Sequence, residues 1–263
     1  MKYFDTHAHY YDNRFSEECD SPTPELIARL FDDNVSDIVN VATSPLNYDL
    51  TISQAQLFAR MYTALGIHPC DSQSLTSSVD HYMEELYQRL KDARSKAVAL
   101  GEIGLDYHYD DTNKEWQLAF FHAQMDLAKE LDLPVVIHDR DAHGDVMNVI
   151  LAHPGVRGIM HSFSGSAEMA KDLVRCGYYI SFSGTITFKG ARKTVESAKI
   201  LPHSHVLIET DCPYLSPVPF RGKLNHSGHL VYTNAALAEC LSLSAEECAA
   251  LTAENARTIF KLS

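Results

Sequence analysis

Eight short apolar runs, each followed by a stretch of helical periodicity, constrain the fold of this 263-residue chain more than any other feature. They lie at Tyr3 to His9, Ile38 to Ala42, Tyr62 to His68, Val98 to Leu105, Leu133 to His138, Val156 to His161, Tyr178 to Ser183 and Val206 to Asp211. Most are almost continuously apolar, as parallel strands covered on both faces must be. The segments between them carry helix start signals. Thr23-Pro24-Glu25 places a capping residue before a proline at the first helical position. Thr112-Asn-Lys-Glu115 and Ser244-Ala-Glu-Glu247 read as capping boxes. Beyond the first box, Trp116, Phe120, Ala123, Leu127 and Leu131 recur every three or four residues, one face of a long amphipathic helix.

An unbroken succession of eight βα units predicts an α/β fold, a (β/α)8 TIM barrel forming a single domain over residues 1–263. An open doubly wound sheet is the competing arrangement, but no Gly-rich turn follows the first run. The chain is 45% hydrophobic, enough for a sizeable core. No apolar run approaches the roughly 18 residues of a membrane span. Met1-Lys-Tyr-Phe-Asp5 enters a strand directly, without the apolar stretch of an export signal. Six scattered cysteines with no C-x-x-C pair suit reduced thiols and exclude a zinc ribbon, so a cytoplasmic location is expected.

Charge narrows the partners. With 35 acids against 22 bases the net charge is −13, which argues against a clamp on long duplex DNA. A phosphate substrate would have to be met locally, by a few bases and metal ions.

In such barrels the working face lies at the C-terminal ends of the strands. There the first run ends in His7 and His9, which alternation sends to the same inward side. Glu102 stands between glycines in the fourth run, and the fifth, sixth and eighth end in His138, His161 and Asp211. Imidazoles and carboxylates bind Zn2+, Mn2+ or Mg2+, and a carboxylate can bridge two cations. Glu102 is the candidate bridge, and Asp211 the candidate both to ligate an ion and to orient or deprotonate water. Two ions about 3.5–4 Å apart would stabilise the attacking and leaving oxygens of a displacement at phosphorus. Taken singly, a strand-end histidine is more often a hydrogen-bonded rim residue, and Glu102 alone could be a buried ion-pair partner. The six together outweigh that reading, because inward-facing charges are costly unless paired or metal-bound.

Substrate contacts are expected from His68, Arg140, Lys189, Arg221, Lys223 and Asn225. His68 in Gly66-Ile-His-Pro69 has a supporting hydrogen bond as its equal alternative; for Lys189, Arg221 and Lys223 the alternative is a solvated surface charge. Loops after the seventh and eighth strands often hold phosphate in this fold. Cys212 alternates away from Asp211 and is discounted as a nucleophile. His108, His122, His143, His153, His203 and His205 are expected at the surface.

With these segments in place the chain resembles the TatD family of metal-dependent hydrolases and deoxyribonucleases, among the amidohydrolase-like barrels. The likeness runs from Asp5-Thr-His-Ala-His9 through Gly66-Ile-His-Pro69, Gly101-Glu-Ile-Gly-Leu-Asp106, Ile137-His138, His161-Ser-Phe-Ser-Gly165 and Ser183-Gly-Thr-Ile-Thr-Phe-Lys189 to Glu209-Thr-Asp-Cys-Pro-Tyr-Leu215. The resemblance implies a first metal on His7, His9, Glu102 and Asp211 and a second on Glu102, His138 and His161. It also implies hydrolysis of phosphodiester bonds in DNA, often from 3′ ends of single strands. DNA would be held weakly at the mouth, with no obligate protein partner. Two segments depart from the family pattern: Leu224, His226 and Ser227 in Arg221-Gly-Lys-Leu-Asn-His-Ser227, and Asp139 after His138. Both are expected to bear on substrate preference. Hydrolysis of a small cyclic amide, lactone or other ester is the alternative activity, and a barrel that only binds is a third.

Overall fold

The computed structural model describes residues 1–262. Its eight strands are β1 (Tyr3–Ala8), β2 (Val35–Ala42), β3 (Met61–Leu65), β4 (Ala97–Asp106), β5 (Val135–Arg140), β6 (Gly158–Met160), β7 (Tyr178–Phe182) and β8 (Val206–Ile208). Each pairs in parallel with the next, in sequence order. Beyond β8 the chain lies beside the end of β1: Asp211 N donates to His7 O at 2.9 Å and His9 N to Cys212 O at 2.8 Å. Those bonds close the ring at its mouth. The result is the expected (β/α)8 barrel in one domain. No helix among the described residues is long and apolar enough to cross a membrane.

Inside the barrel, Phe4, Val39, Val41, Ala64, Ala99, Val136, Ile159 and Leu207 form one apolar cluster with Ala253, Ala256, Ile259 and Phe260. The last four come from the helix Ala245–Ile259 and the residue after it, so the C-terminal helix plugs the floor; the Phe4 and Phe260 rings stack at 5.9 Å. A larger cluster packs the outer faces of the strands against the surrounding helices, with Leu65, Leu100, Ile103, Leu105, Phe121 and Ile137 among its members.

These memberships correct the alternation argument. Phe4 faces the interior, so strict alternation would turn Asp5 and His7 outward. The β1–β2 register shifts between Asp5 and Ala8, and that irregularity brings His7 back to the mouth. The same happens on β4: Leu100 and Ile103, three residues apart, both belong to the outer cluster, and the register slips between Gly101 and Ile103. Glu102 is the residue the slip turns inward. An extra residue in one strand is the usual device for re-aiming a side chain beside a site.

Several boundaries differ from the sequence expectation. Strands β3, β6 and β8 stop early, so His68, His161 and Asp211 stand just past their strand ends, as does His9 past β1. Asp211 and the neighbour of His161, Ser162, take left-handed φ values of 55° and 41°, which ends the ladder there. The helix Thr23–Asp33 begins at Thr23 itself, with Pro22 at its cap and no side-chain cap bond. The helix Lys114–Leu131 is capped by Asn113, whose side chain accepts from Trp116 N; Thr112 instead donates to Asp106 O. The box at Ser244 and Glu247 forms as expected.

Close backbone approach around Glu102 depends on glycine. A Cβ on Gly104, whose φ is +134°, would lie 2.0 Å from His138 O. The variant G104A should therefore lose about 3 kcal/mol or more in denaturant unfolding. The control G144A, in the helix His143–Ala152 where nothing lies within 4 Å of the added carbon, should be neutral or gain a few tenths of a kcal/mol.

Candidate metal centre

His7 Nε2 lies 3.0 Å from His9 Nε2, 3.3 Å from Glu102 Oε2 and 3.7 Å from Asp211 Oδ1. His9 Nε2 in turn lies 3.2 Å from Asp211 Oδ1 and 3.6 Å from Glu102 Oε2. The other oxygen of Glu102 faces a different set. Oε1 lies 2.9 Å from His138 Nδ1 and 2.8 Å from His161 Nε2, and these two nitrogens are 3.3 Å apart. His68 Nε2 approaches the same oxygen at 3.6 Å. One carboxylate thus presents one oxygen to each of two donor clusters.

This spacing can be compared with what a cation requires. A tetrahedral site with metal–nitrogen arms of about 2.0–2.1 Å has edges of roughly 3.3 Å. The donor separations, 2.8 to 3.7 Å, bracket that edge, and the nitrogens and oxygens are the mixture that zinc, manganese and magnesium accept. Four of the six are almost wholly buried, with His7 0%, Glu102 3%, His9 4% and His161 7% exposed; His138 and Asp211 are partly open to the mouth, their side chains 17% and 14% exposed. The residues present fit divalent cations.

Hydrogen bonds behind the donors set which nitrogen carries a proton. His9 Nδ1 donates to Val41 O at 2.7 Å. His161 Nδ1 donates to Glu209 Oε1, which also accepts from Ser162 N. His138 Nε2 donates to Asp106 Oδ2 at 3.2 Å. Each frees the opposite nitrogen for the cluster, the usual support of a metal-binding histidine. Asp106 and Glu209 were not singled out from sequence, although Asp106 closes the Gly101–Asp106 segment and Glu209 stands two residues before Asp211. Asp5 does similar work on the backbone. Buried beneath the loop, it accepts from His7 N, Thr210 N, Thr210 Oγ1 and Ser227 Oγ, tying the end of β1 to the segment that carries Asp211.

Electrostatics follow from burial opposed by neighbours. Burial alone would raise the Glu102 carboxyl, but His161, His68, His7 and the hydrogen bond from His138 together hold it well below the usual range. Asp211 is likewise held low against burial by His9, His161 and His7. Burial disfavours charge on His161, yet Glu102 and Glu209 raise it well above the ordinary imidazole value. His9 and His138 are raised in the same way, by Asp211 and by Asp106 with Glu102. Burial dominates at His68, pushing it down to about 3.

A cation needs the free lone pair, so these raised imidazoles make protons its competitors. Uptake of Mn2+ or Zn2+ near pH 7 is expected to release protons, and apparent affinity should fall as pH drops. Calorimetric titration in buffers of different ionisation enthalpy measures this directly; a heat independent of buffer would contradict it.

The substrate residues are placed less uniformly. Arg140 and Arg221 line a cavity of about 650 Å3 that opens from His138, His161 and Asp211 toward Phe188; the Arg221 guanidinium lies 4.5 Å over the Phe188 ring. Lys189 and Lys223 are exposed and are not among the residues lining that cavity. Asn225 must be reassigned. It is fully buried, its amide donates to Thr210 O and Tyr214 O, and its oxygen accepts from His226 N and His229 Nδ1. With every polar atom engaged, it shapes the loop around Asp211 and has nothing left for a ligand.

The segments that depart from the family pattern also face inward. Ser227 bonds Asp5 and Tyr10, and Leu224 packs beside the cluster of Phe15, Leu26 and Ile27. Asp139 turns to His143 at 2.7 Å. Ser227 and Leu224 act on the frame of the site, whereas Asp139 lines the large cavity between His138 and Arg140. Cys212 is fully buried. His153, expected at the surface, is buried as well, its Nδ1 donating to Val149 O, because it caps the helix His143–Ala152.

The TatD related DNase family model matches residues 4–261 of this chain. The Bacillus subtilis protein YabD, described as an uncharacterized metal-dependent hydrolase, is 39% identical over 262 residues, 99% of each chain. The crystal structure of YjjV, a TatD homologue from Escherichia coli K12, superposes with a TM-score of 0.90 at 33% identity, covering 99% of this chain and 98% of its own. The Escherichia coli phosphotriesterase homology protein, solved with phosphate in its active site, shares the fold: TM-score 0.70 at 13% identity, covering 98% of each chain.

Proposed function

The chain belongs to the TatD-related DNase family and is a metal-dependent hydrolase; from that premise we propose that it cleaves phosphodiester bonds in DNA, trimming single-stranded ends in the 3′-to-5′ direction. The observation that carries the reading is Glu102, whose two oxygens face separate donor clusters. His7, His9, Glu102 and Asp211 would hold one divalent cation, and Glu102, His138 and His161 a second. Zn2+, Mn2+ and Mg2+ all suit this donor set. When bound, such cations polarise a phosphoryl oxygen and make water more acidic.

The chain's own groups do the rest. Asp211 Oδ1 is engaged by His9 and His7, which leaves Oδ2 to orient the attacking water and take its proton. His68 accepts the Cys70 N–H at Nδ1. Its proton therefore sits on Nε2, a neutral donor aimed at the centre and able to meet a substrate oxygen there. Arg140 and Arg221 bind the phosphates beside the scissile one. Two such contacts on a single strand give a log–log salt slope of roughly −1.4, so DNA is held weakly and rate comes from the centre. The phosphate in the distant phosphotriesterase homology protein supports phosphoryl chemistry at a barrel mouth of this kind. The six cysteines are all unpaired, which supports a cytoplasmic location.

Digestion of single-stranded oligonucleotides labelled at either end, with Mg2+, Mn2+ or Zn2+, tests the proposal. A ladder receding from the 3′ end, dependent on added cation, is expected. Loss of label only from the 5′ end would reverse the polarity. Inertness toward every oligonucleotide, with turnover of a lactone or cyclic amide in a parallel panel, would select the amidohydrolase reading.

A further inference from the structure

Two cavities meet at the acid–imidazole cluster, and their walls differ in chemistry. His138, Arg140, His161 and Asp211 border both. The larger continues toward Arg221 and Phe188, over a surface with serine and threonine hydroxyls. The smaller, about 400 Å3, is walled by Tyr109 and Tyr214 and by the acids Asp71 and Asp106. Each volume is of a size that holds a small organic group.

The two tyrosines are unusual for so polar a mouth. Tyr109 is 51% and Tyr214 46% exposed, and each has a guanidinium 5.8 Å from its ring centroid, Arg140 and Arg14 respectively. Tyr214 is further held by a 2.6 Å hydrogen bond from its hydroxyl to Asp12. A fixed aromatic ring beside an arginine is the combination on which single-stranded bases stack. The acids add a second constraint. Arg140 is common to both sides; besides it, a further phosphate on this side would face Asp71 and Asp106, whereas on the other it would meet Arg221 together with Asp139.

Resting on the phosphodiesterase reading above, we propose that the tyrosine-walled cavity receives the terminal nucleoside of the strand, its base stacked on Tyr109 and Tyr214. The arginine-lined cavity receives the strand that continues from it. The division of charge makes the site end-specific: a neutral 3′-hydroxyl terminus is accepted where a phosphorylated one is repelled.

The test is equilibrium binding of 5′-fluorescein trinucleotides with phosphorothioate linkages, followed by anisotropy with Mg2+ present. Stacking by one base contributes about 1–3 kcal/mol, which corresponds to roughly 5- to 150-fold in Kd. Tyr109→Ala and Tyr214→Ala should each weaken binding at least about fivefold, while Tyr109→Phe and Tyr214→Phe stay within about twofold of wild type. An abasic 3′ residue should weaken wild-type binding as much as the alanine substitutions do and make them silent. A 3′-phosphate should weaken it further. Unchanged affinity in both alanine variants, equal binding of abasic and base-bearing probes, or no binding of the base-bearing probe would overturn the proposal. Hydrolysis of the unmodified trinucleotide is scored in parallel: its absence counts against phosphodiesterase activity, whereas insensitivity of binding to the tyrosines counts against this assignment alone.

Discussion

Replacing Asp211 by Asn is expected to lower the single-turnover rate of oligonucleotide cleavage by about 10^3-fold or more while leaving the fold intact. The carboxylate is held ionised by His9, His161 and His7 against its burial, so it is poised to accept a proton. Asn keeps the shape and hydrogen-bonding reach of the side chain but cannot take that proton, and general-base catalysis accounts for about 10^2–10^4 in rate. Loss of an anionic donor from the first cluster adds to the effect. Folding should survive, because residue 211 has a left-handed φ of 55°, a conformation asparagine adopts as readily as aspartate. The measurement is single-turnover cleavage across pH, with melting curves and metal content of the same preparation. A variant that folds, loads with cation and cleaves within tenfold of wild type would remove Asp211 from the role of base.

Replacing Glu102 by Gln should abolish the stabilisation that cations confer. A ligand bound only by the folded state at 100 times its dissociation constant stabilises by about 2.7 kcal/mol. For a chain of this length each kcal/mol raises Tm by about 2–4 °C. Wild type should thus melt roughly 5–10 °C higher with saturating Mn2+ or Zn2+ than in chelator. Both clusters share the Glu102 carboxylate, so one neutral substitution weakens both, and the increment should all but vanish together with cleavage. Removing one cluster alone, through His138→Ala, should leave part of it. An undiminished increment in Glu102→Gln would show that the cations bind elsewhere.

Much of this was readable from residue order. The eight apolar runs and their helical spacers specify the barrel because each strand has to be covered on both faces and each helix on one. The metal-type residues were legible for a related reason: a histidine or acid at the inner end of an apolar run has no inexpensive explanation except pairing or ligation. Asn225 and His153 were misread because polarity in a sequence does not reveal which backbone groups a fold leaves in need of partners. Asn225 meets the carbonyls of Thr210 and Tyr214, and His153 caps a helix end; neither need exists until the loops close.

Alternation also misplaced the reason that His7 points inward. Residue order alone established the barrel and brought forward the six candidate donors, since burial of apolar residues is a local pattern with a regular period. The register slips in β1 and β4, the two-sided use of the Glu102 carboxylate, and the partition of the mouth into a tyrosine side and an arginine side emerged only in three dimensions. Each depends on where one strand sits along its neighbour, and that is settled by contacts between residues far apart in the chain.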